Sequence, residues 1–178
     1  MKGVMKSFVT ISALSMIAIA PIFMSAGSAS AAPKKGTDAS YVGAGISAGV
    51  TNGGQNGDAA TFGGNITGRV PLGNSSLSAR GQVNFSNETS AIIPHLTVDV
   101  PVATGTNVYL GAGYQFVEEN GKPTPSGNKD GIAVVAGVES EVAKNFLIYS
   151  NATVGVNAYE NSSASGVSLN GGVGYRFR

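Results

Sequence analysis

A strict alternation of apolar and polar side chains is the feature that most constrains this chain. It is clearest in residues 77–86, where every second residue is apolar or glycine and the residues between are polar. Because successive side chains of a β-strand point to opposite faces, this spacing predicts a sheet with one apolar and one polar face. No helical pattern separates the repeats, which predicts an all-β fold, an eight-stranded antiparallel up-and-down barrel. The eight segments with this spacing are 41–50, 60–70, 77–86, 91–100, 107–117, 131–142, 146–158 and about 166–178.

The residues before the first predicted strand have the order of a cleaved signal peptide. Lys2 and Lys6 precede an apolar run over 8–24, and small residues follow, with Ala29-Ser30-Ala31 as the cleavage motif. A retained membrane helix is the alternative, which the short run and its interruption by Pro21 disfavour. We therefore expect an exported protein with three parts, a signal peptide over 1–31, a flexible tail over 32–39 and a barrel over 40–178.

Charge and cysteine content exclude several classes of protein. Loss of Lys2 and Lys6 with the leader leaves nine basic residues against ten acidic ones, a net charge of −1. Such a chain offers no basic surface to nucleic acid, so no nucleic-acid partner is expected. The chain also has no cysteine. An exported domain of this size without disulfides needs another source of stability, which a closed ring of strands supplies.

The composition of the polar face indicates which side of the predicted barrel is inside. That face consists mainly of Gly, Ser, Thr, Asn and Tyr, and no lysine of the mature chain lies in a predicted strand. A soluble barrel would carry Lys and Glu on its outer surface. We therefore expect the apolar face to contact lipid and the barrel to be transmembrane. The few strand charges nearly balance and are Arg69, Arg80, Arg176, Asp99, Glu139 and Glu141.

These six charged residues fall in one half of the predicted barrel, next to its short connections. Arg69 and Arg80 are near cross-strand neighbours, and their like charges need carboxylates beside them. We therefore predict that the six residues form an ionic cluster that closes this end of the lumen. Because side chains just fill an eight-stranded barrel, a conducting pore is disfavoured. The other end is lined by small residues expected to leave room for water: Gly45, Gly49, Gly63, Gly113, Asn151 and Gly155.

Parts of the chain resemble a known superfamily. Residues 94–101, 109–114 and the closing segment 169–177 are similar to strands of the small outer-membrane β-barrel superfamily, which includes the opacity-type proteins and the eight-stranded domain of outer membrane protein A. The resemblance implies a monomer in the outer membrane of a Gram-negative cell, in contact with the lipid bilayer and with lipopolysaccharide as a candidate partner. It also implies that the barrel-assembly machinery recognises the C-terminal strand. Tryptophan is absent, so we expect thin aromatic girdles.

Few residues of the chain are suited to catalysis or metal binding. His95 is the only histidine and there is no cysteine, so we predict no enzyme activity, no cofactor and no metal site. The leading hypothesis is a small integral outer-membrane barrel with a structural or surface-interaction role in the cell envelope. The alternatives are a small porin-like diffusion channel and a soluble periplasmic ligand-binding barrel. A membrane enzyme would depend on His95 alone.

Overall fold

The computed structural model describes residues 35–53 and 61–177. The predicted signal peptide lies outside the described residues, as do residues 54–60 and Arg178. The described chain contains eight strands, β1 Ser40–Gly49, β2 Phe62–Pro71, β3 Leu77–Phe85, β4 Ser90–Ala103, β5 Thr106–Val117, β6 Gly131–Ala143, β7 Phe146–Gly155 and β8 Gly166–Phe177. No helix within the described residues is long and apolar enough to cross a membrane.

The strands follow one another around a closed barrel in chain order. Every neighbouring pair is antiparallel, and β1 closes the ring against β8, with Ser40 opposite Phe177 and Gly49 opposite Ser168. Short connections at 72–76, 104–105 and 144–145 lie at one end, here called the lower end, together with both termini of the barrel. The opposite, upper end carries the connections 86–89, 118–130 and 156–165, and the described residues 50–53 and 61 between β1 and β2. The predicted eight-stranded up-and-down barrel is confirmed.

The apolar face points outward and the polar face lines the lumen. Phe62 and Leu110 are 65% and 60% exposed, whereas Gln82 and Glu139 of the polar face are almost completely buried. Alternation in each strand produces this arrangement because neighbouring side chains take opposite sides of the wall. The outcome reverses the burial pattern of a water-soluble domain. A continuous exposed apolar surface of this extent marks a surface that contacts an apolar environment or a partner.

Pro94 cannot donate a hydrogen bond to a neighbouring strand, which predicts a bulge or strand end near it. That prediction is wrong. Pro94 lies within β4 opposite Gly81 of β3, and the β4–β5 register is the same on either side of it. The ladder to β5 merely lacks paired residues at Ile93 and Pro94. The register shifts occur instead close to the lower turns, between Pro101 and Ala103 and in β6 after Glu141.

Tyrosine rings lie against the inner wall where the wall is built from glycine. A Cβ atom on Gly43 would be 2.6 Å from Cε1 of Tyr149, and one on Gly137 would be 2.5 Å from Cζ of Tyr109. Any larger residue at these two positions would displace a ring. Tyr41 stacks on Tyr149 with 6.3 Å between ring centroids. These glycines therefore supply the space that buried aromatic side chains occupy.

Candidate functional site

Four charged side chains meet in the lower half of the lumen, from β2, β3, β4 and β6. Arg69 lies 2.8 Å from Asp99 and 3.1 Å from Glu139. Arg80 lies 2.9 Å from Asp99 and 2.8 Å from Glu139. Each carboxylate therefore bridges both arginines, and each side chain is at most 5% exposed. We call these four residues the lumen cluster.

The lumen cluster is neutral, and the structure explains how two adjacent arginines are tolerated. Arg69 and Arg80 are directly opposite each other in the β2–β3 ladder, where like charges repel. The two carboxylates, Asp99 and Glu139, offset that repulsion. A buried charge is stable only if it is paired and its remaining donors and acceptors are satisfied.

Neighbouring polar groups complete the hydrogen bonding of the cluster. Ser78 donates to Asp99, and Thr97 donates to the other Asp99 oxygen at 2.9 Å. The guanidinium of Arg80 donates to the Tyr41 hydroxyl at 3.0 Å and lies over the Tyr109 ring, 3.8 Å from its centroid. Each of these contacts comes from a side chain on the inner face, so alternation alone delivers them to the lumen.

The other two predicted members of the cluster form a separate ion pair. Arg176 Nη1 lies 2.7 Å from Glu141, with the two side chains 18% and 27% exposed. Glu141 lies where the β6 register shifts beside the turn 144–145, and Arg176 is next to the end of β8. The expected cluster of six residues is thus a buried cluster of four and a half-exposed pair at the lower rim. The alternation assigns a face to each residue but not the depth at which it lies.

The N-terminal segment 35–39, part of the predicted flexible tail, lies against the lower end of the barrel. The Thr37 carbonyl accepts hydrogen bonds from Arg69 at 3.0 Å and from Asn107 at 2.7 Å, and Thr37 is buried. The Gly105 amide donates to the Lys35 carbonyl at 3.0 Å. Because the segment makes these contacts through its backbone carbonyls, they could not be predicted from the pattern of side chains.

A layer of uncharged polar side chains fills the lumen above the lumen cluster. The Asn151 amide donates to Gln82 at 3.0 Å and to the Tyr109 hydroxyl at 3.3 Å, which links the two layers. Asn170 donates to Asn151 at 2.8 Å, and Tyr149 donates to Asn65 at 2.6 Å. All of these side chains are buried. The middle of the barrel is therefore occupied by hydrogen-bonded protein groups.

The upper mouth is closed by the connection between β5 and β6. Residues 124–128 of this connection are buried, and Thr124 and Gly127 pair as a tight turn. The Asn128 backbone amide donates to the Ala158 carbonyl at 2.8 Å, and the Ser86 hydroxyl donates to the Pro123 carbonyl at 2.8 Å. We call residues 123–128 the capping turn.

The small residues of the upper lumen accommodate the capping turn, so the expectation that they leave room for water is wrong for Gly49 and Gly155. A Cβ atom on Gly49 would be 2.7 Å from the Pro125 carbonyl oxygen, and one on Gly155 would be 3.2 Å from that of Ser126. The other predicted glycines, Gly45, Gly63 and Gly113, instead lie close to backbone carbonyls of neighbouring strands. The sequence contains these glycines, but their role depends on a loop whose path the sequence does not show.

Aromatic side chains form two exposed groups, one at each end of the outer surface. The lower group, Phe146, Tyr175 and Phe177, is joined edge to face, with centroids 5.6 and 5.5 Å apart. Aromatic rings are enriched at both borders of a membrane because they are apolar bodies that tolerate polar surroundings. The lower group lies on β7 and β8 and the upper residues on β2, β3 and β5, so neither group encircles the barrel. The upper group consists of Phe62, Phe85, Tyr114 and Phe116.

His95 is the residue on which a catalytic role would depend. His95 is buried on the inner face, with Nδ1 2.9 Å from the Ile93 carbonyl oxygen. No group of three or more metal-binding side chains occurs among residues 35–53 and 61–177. His95 is thus placed as a lumen histidine bonded to the backbone.

The upper rim, in contrast to the lumen, is rich in acidic side chains. Lys122 lies 2.6 Å from Glu119, and this hydrogen bond raises the pKa of Lys122 above its ordinary value. Lys129 is the other lysine of the described upper connections. The acidic residues of those connections are Glu88, Glu118, Glu119, Asp130 and Glu160.

Comparison with known proteins supports the fold. A de novo designed transmembrane β-barrel matches 79% of this chain and 98% of its own, at 15% identity and a TM-score of 0.52. The crystal structure of Neisserial surface protein A matches 78% of this chain and 97% of its own, at 16% identity and a TM-score of 0.50. The N-terminal β-barrel domain of Pseudomonas aeruginosa OprF matches 80% of this chain and 100% of its own, at 15% identity and a TM-score of 0.50.

No protein-family model and no curated protein sequence matches the chain. The structural likenesses confirm the predicted resemblance at the level of the fold, that of the small eight-stranded outer-membrane barrels.

Proposed function

We propose that this chain is a small, non-conducting integral protein of the bacterial outer membrane with a structural or surface-interaction role in the cell envelope. The observation that carries the proposal is the outward apolar surface around a lumen of buried ion pairs. In water such a surface would be unfavourable, because burial of apolar area contributes about 25 cal/mol of free energy per Å². In a bilayer the same surface is favourable, and the closed ring satisfies the backbone groups that lipid cannot.

The height of the apolar surface fits a membrane. Outward apolar residues of β4 run from Ile92 to Val100, which corresponds to about 26 Å of strand at 3.3 Å per residue. A strand tilt of about 40° reduces this to about 20 Å along the membrane normal, close to the outward apolar band of known barrels. The two exposed aromatic groups lie at the borders of this band.

The filled lumen favours a structural role over the alternatives. A diffusion channel needs a continuous water path, whereas here the capping turn, the middle polar layer and the lumen cluster follow one another along the axis. A soluble ligand-binding barrel needs a hydrated exterior and an open interior, and the burial pattern is the reverse. We also propose no enzymatic activity.

The remaining elements of the proposal concern export, assembly and surface contacts. The sequence pattern and the fold support three proposals: export by the signal peptide, assembly of the monomer through its C-terminal strand, and location in a Gram-negative outer membrane. The acidic upper rim disfavours direct pairing with lipopolysaccharide phosphates. Contact with lipopolysaccharide would therefore be bridged by divalent cations.

A matched pair of variants tests the membrane location. Leu110 is an exposed residue near the middle of β5, and Thr104 is exposed in the lower turn. If the band contacts lipid, Leu110→Arg lowers the free energy of unfolding in vesicles by about 2–4 kcal/mol, whereas Thr104→Arg has little effect. The full chain should also fractionate with the outer membrane and show heat-modifiable gel migration. Recovery in the osmotic-shock fraction, with Leu110→Arg harmless, would contradict the proposal.

A further inference from the structure

We propose that a cleft at the lower rim binds the headgroup of a phospholipid that carries both a phosphate and a primary ammonium, such as phosphatidylethanolamine. The cleft has a volume of about 390 Å³ and lies between the segment 38–40, the turn 144–145 and the end of β8 at 176–177. The inference rests on the proposed function, because only a chain inserted in a bilayer meets such a lipid at this level.

Two cationic side chains line the cleft. Lys144 is exposed and forms no ion pair with any described residue. Arg176 makes its contacts with Glu141 and with the Lys144 carbonyl through Nη1. Its Nη2 has no partner among residues 35–53 and 61–177. A phosphate diester is one ligand group that can accept hydrogen bonds from a guanidinium and an ammonium together.

A carboxylate also lines the cleft. The Asp38 side chain is 76% exposed, and its contact with Lys35 is 3.9 Å long, the distance of a weak surface pair. A ligand with phosphate alone would be repelled by this carboxylate. A zwitterionic headgroup instead places its ammonium on Asp38 and its phosphate on Lys144 and Arg176. The charge pattern therefore favours a headgroup with both charges.

The lower aromatic group places the cleft at the level of lipid headgroups. Phe177 lines the cleft and stacks edge to face on Tyr175, whose hydroxyl accepts a hydrogen bond from Asn145 at 3.1 Å. Exposed aromatic rings with polar neighbours mark the membrane–water border. Acyl chains of a lipid held in the cleft would lie along Phe177, Tyr175 and Phe146. The lower rim thus combines headgroup and acyl-chain contacts in one place.

The primary ammonium separates this headgroup from other abundant ones. It has N–H donors that a carboxylate can accept, whereas the quaternary ammonium of phosphatidylcholine has none. Phosphatidylglycerol has the phosphate but no cation for Asp38. We expect the order of affinity to be phosphatidylethanolamine first, with phosphatidylcholine and phosphatidylglycerol weaker.

The test uses the full mature chain in bilayers with equal amounts of these three lipids. Native mass spectrometry of the chain released from nanodiscs should show the phosphatidylethanolamine adduct several-fold above the other two. Lys144→Gln should reduce all adducts, and Asp38→Asn should remove the preference while adducts remain. Lys129→Gln, the same exchange at the upper end, is the control and should change nothing. Equal adducts in the wild-type chain, or an unchanged preference in Asp38→Asn, would overturn the inference.

Two further measurements distinguish a failure of this inference from a failure of the proposed function. Inorganic phosphate and free phosphoethanolamine are titrated against the detergent-bound chain while the Asn145 side-chain amide is followed by NMR. A response to phosphoethanolamine but not to phosphate supports a headgroup site, and an equal response to both contradicts it. Heat-modifiable migration is checked before each mass measurement. A chain that never inserts contradicts the proposed function and this inference together, whereas an inserted chain without lipid preference contradicts this inference alone.

Discussion

At the scale of single residues, Glu139 is the group on which the lumen cluster most depends. Its carboxylate contacts Arg69 and Arg80 and accepts a hydrogen bond from Asn107. Glu139→Gln would leave the two arginines with only Asp99, and so with an uncompensated buried charge. Breaking a buried ion pair from one side costs about 3–5 kcal/mol. We expect a loss of this size in the free energy of unfolding, measured by urea titration in phosphatidylcholine vesicles.

Glu141→Gln provides the matched control for that measurement. It is the same exchange, two residues along the same strand, at a half-exposed ion pair with Arg176. Pairs in contact with solvent contribute about 0–1 kcal/mol. If Glu139→Gln and Glu141→Gln lowered the free energy of unfolding equally, the lumen cluster would contribute no more to stability than the ion pair at the rim.

A second residue-scale prediction concerns the glycines beneath the tyrosine rings. A Cβ atom on Gly172 would clash with the Ala44 backbone carbonyl oxygen and lie 2.6 Å from the Tyr149 hydroxyl, whereas one on Gly81 would meet no heavy atom within 4 Å. We expect Gly172→Ala to lower the free energy of unfolding by about 1–3 kcal/mol through overpacking. Gly81→Ala, on the outer face, should leave it unchanged or raise it slightly. The two urea midpoints in vesicles check this, and equal midpoints would contradict a packing role for Gly172.

At the scale of elements, the capping turn is held in the upper mouth by glycines of β1, β7 and β8. A Cβ atom on Gly166 would lie 3.0 Å from the Ser126 carbonyl carbon. We expect Gly166→Val to displace the capping turn without opening the barrel. Trypsin would then cleave after Lys129. In the wild-type chain this site is protected because the backbone amide of the preceding residue, Asn128, donates a hydrogen bond to the Ala158 carbonyl. Time courses of digestion in vesicles, followed by mass spectrometry, measure the effect.

Gly81→Val is the control for the displaced turn, because it adds the same side chain at a distant outward position. It should digest at the wild-type rate and keep its heat-modifiable migration. If Gly166→Val is cleaved no faster than Gly81→Val, the capping turn does not depend on the glycines beneath it.

The strands could be predicted from the sequence, and the capping turn could not. Alternation of two residues fixes both the strands and their inner and outer faces, so the exposed Leu77 and Phe85 were expected. The connection 118–130 contains Glu, Lys, Asn and Pro, a composition typical of solvated loops. Its burial depends on backbone carbonyls and on glycines from three distant strands. Such contacts leave no periodic pattern in the chain.

The candidate site could also be predicted only in part. The sequence places Arg69, Arg80, Asp99 and Glu139 on the inner face, and the structure brings them together. It also places Arg176 and Glu141 there, but both lie next to strand ends, so the structure puts them at the rim. Register and stagger of strands decide which side chains share a level, and neither is encoded by alternation.

At the scale of the whole molecule, the lumen is closed at three successive levels, the capping turn, the middle polar layer and the lumen cluster with the Thr37 carbonyl. Each level is held by different residues, so removal of one leaves the others in place. We expect the wild-type chain to show no steady open conductance in planar bilayers. We expect the same for a variant in which 122–128 is replaced by a short glycine–serine linker, because Gln82, Asn151 and the arginines below still fill the bore.

Steady conductance of the linker variant would mean that the capping turn alone closes a pore, and that the lower levels pass ions. The wild-type chain should then open occasionally whenever the turn leaves the mouth, and Gly166→Val should conduct as well. A silent linker variant that is nevertheless cleaved rapidly at Lys129 separates loop displacement from conduction. That combination is what three independent closures predict, and it fits a barrel that stabilises the envelope or presents a surface rather than one that transports solutes.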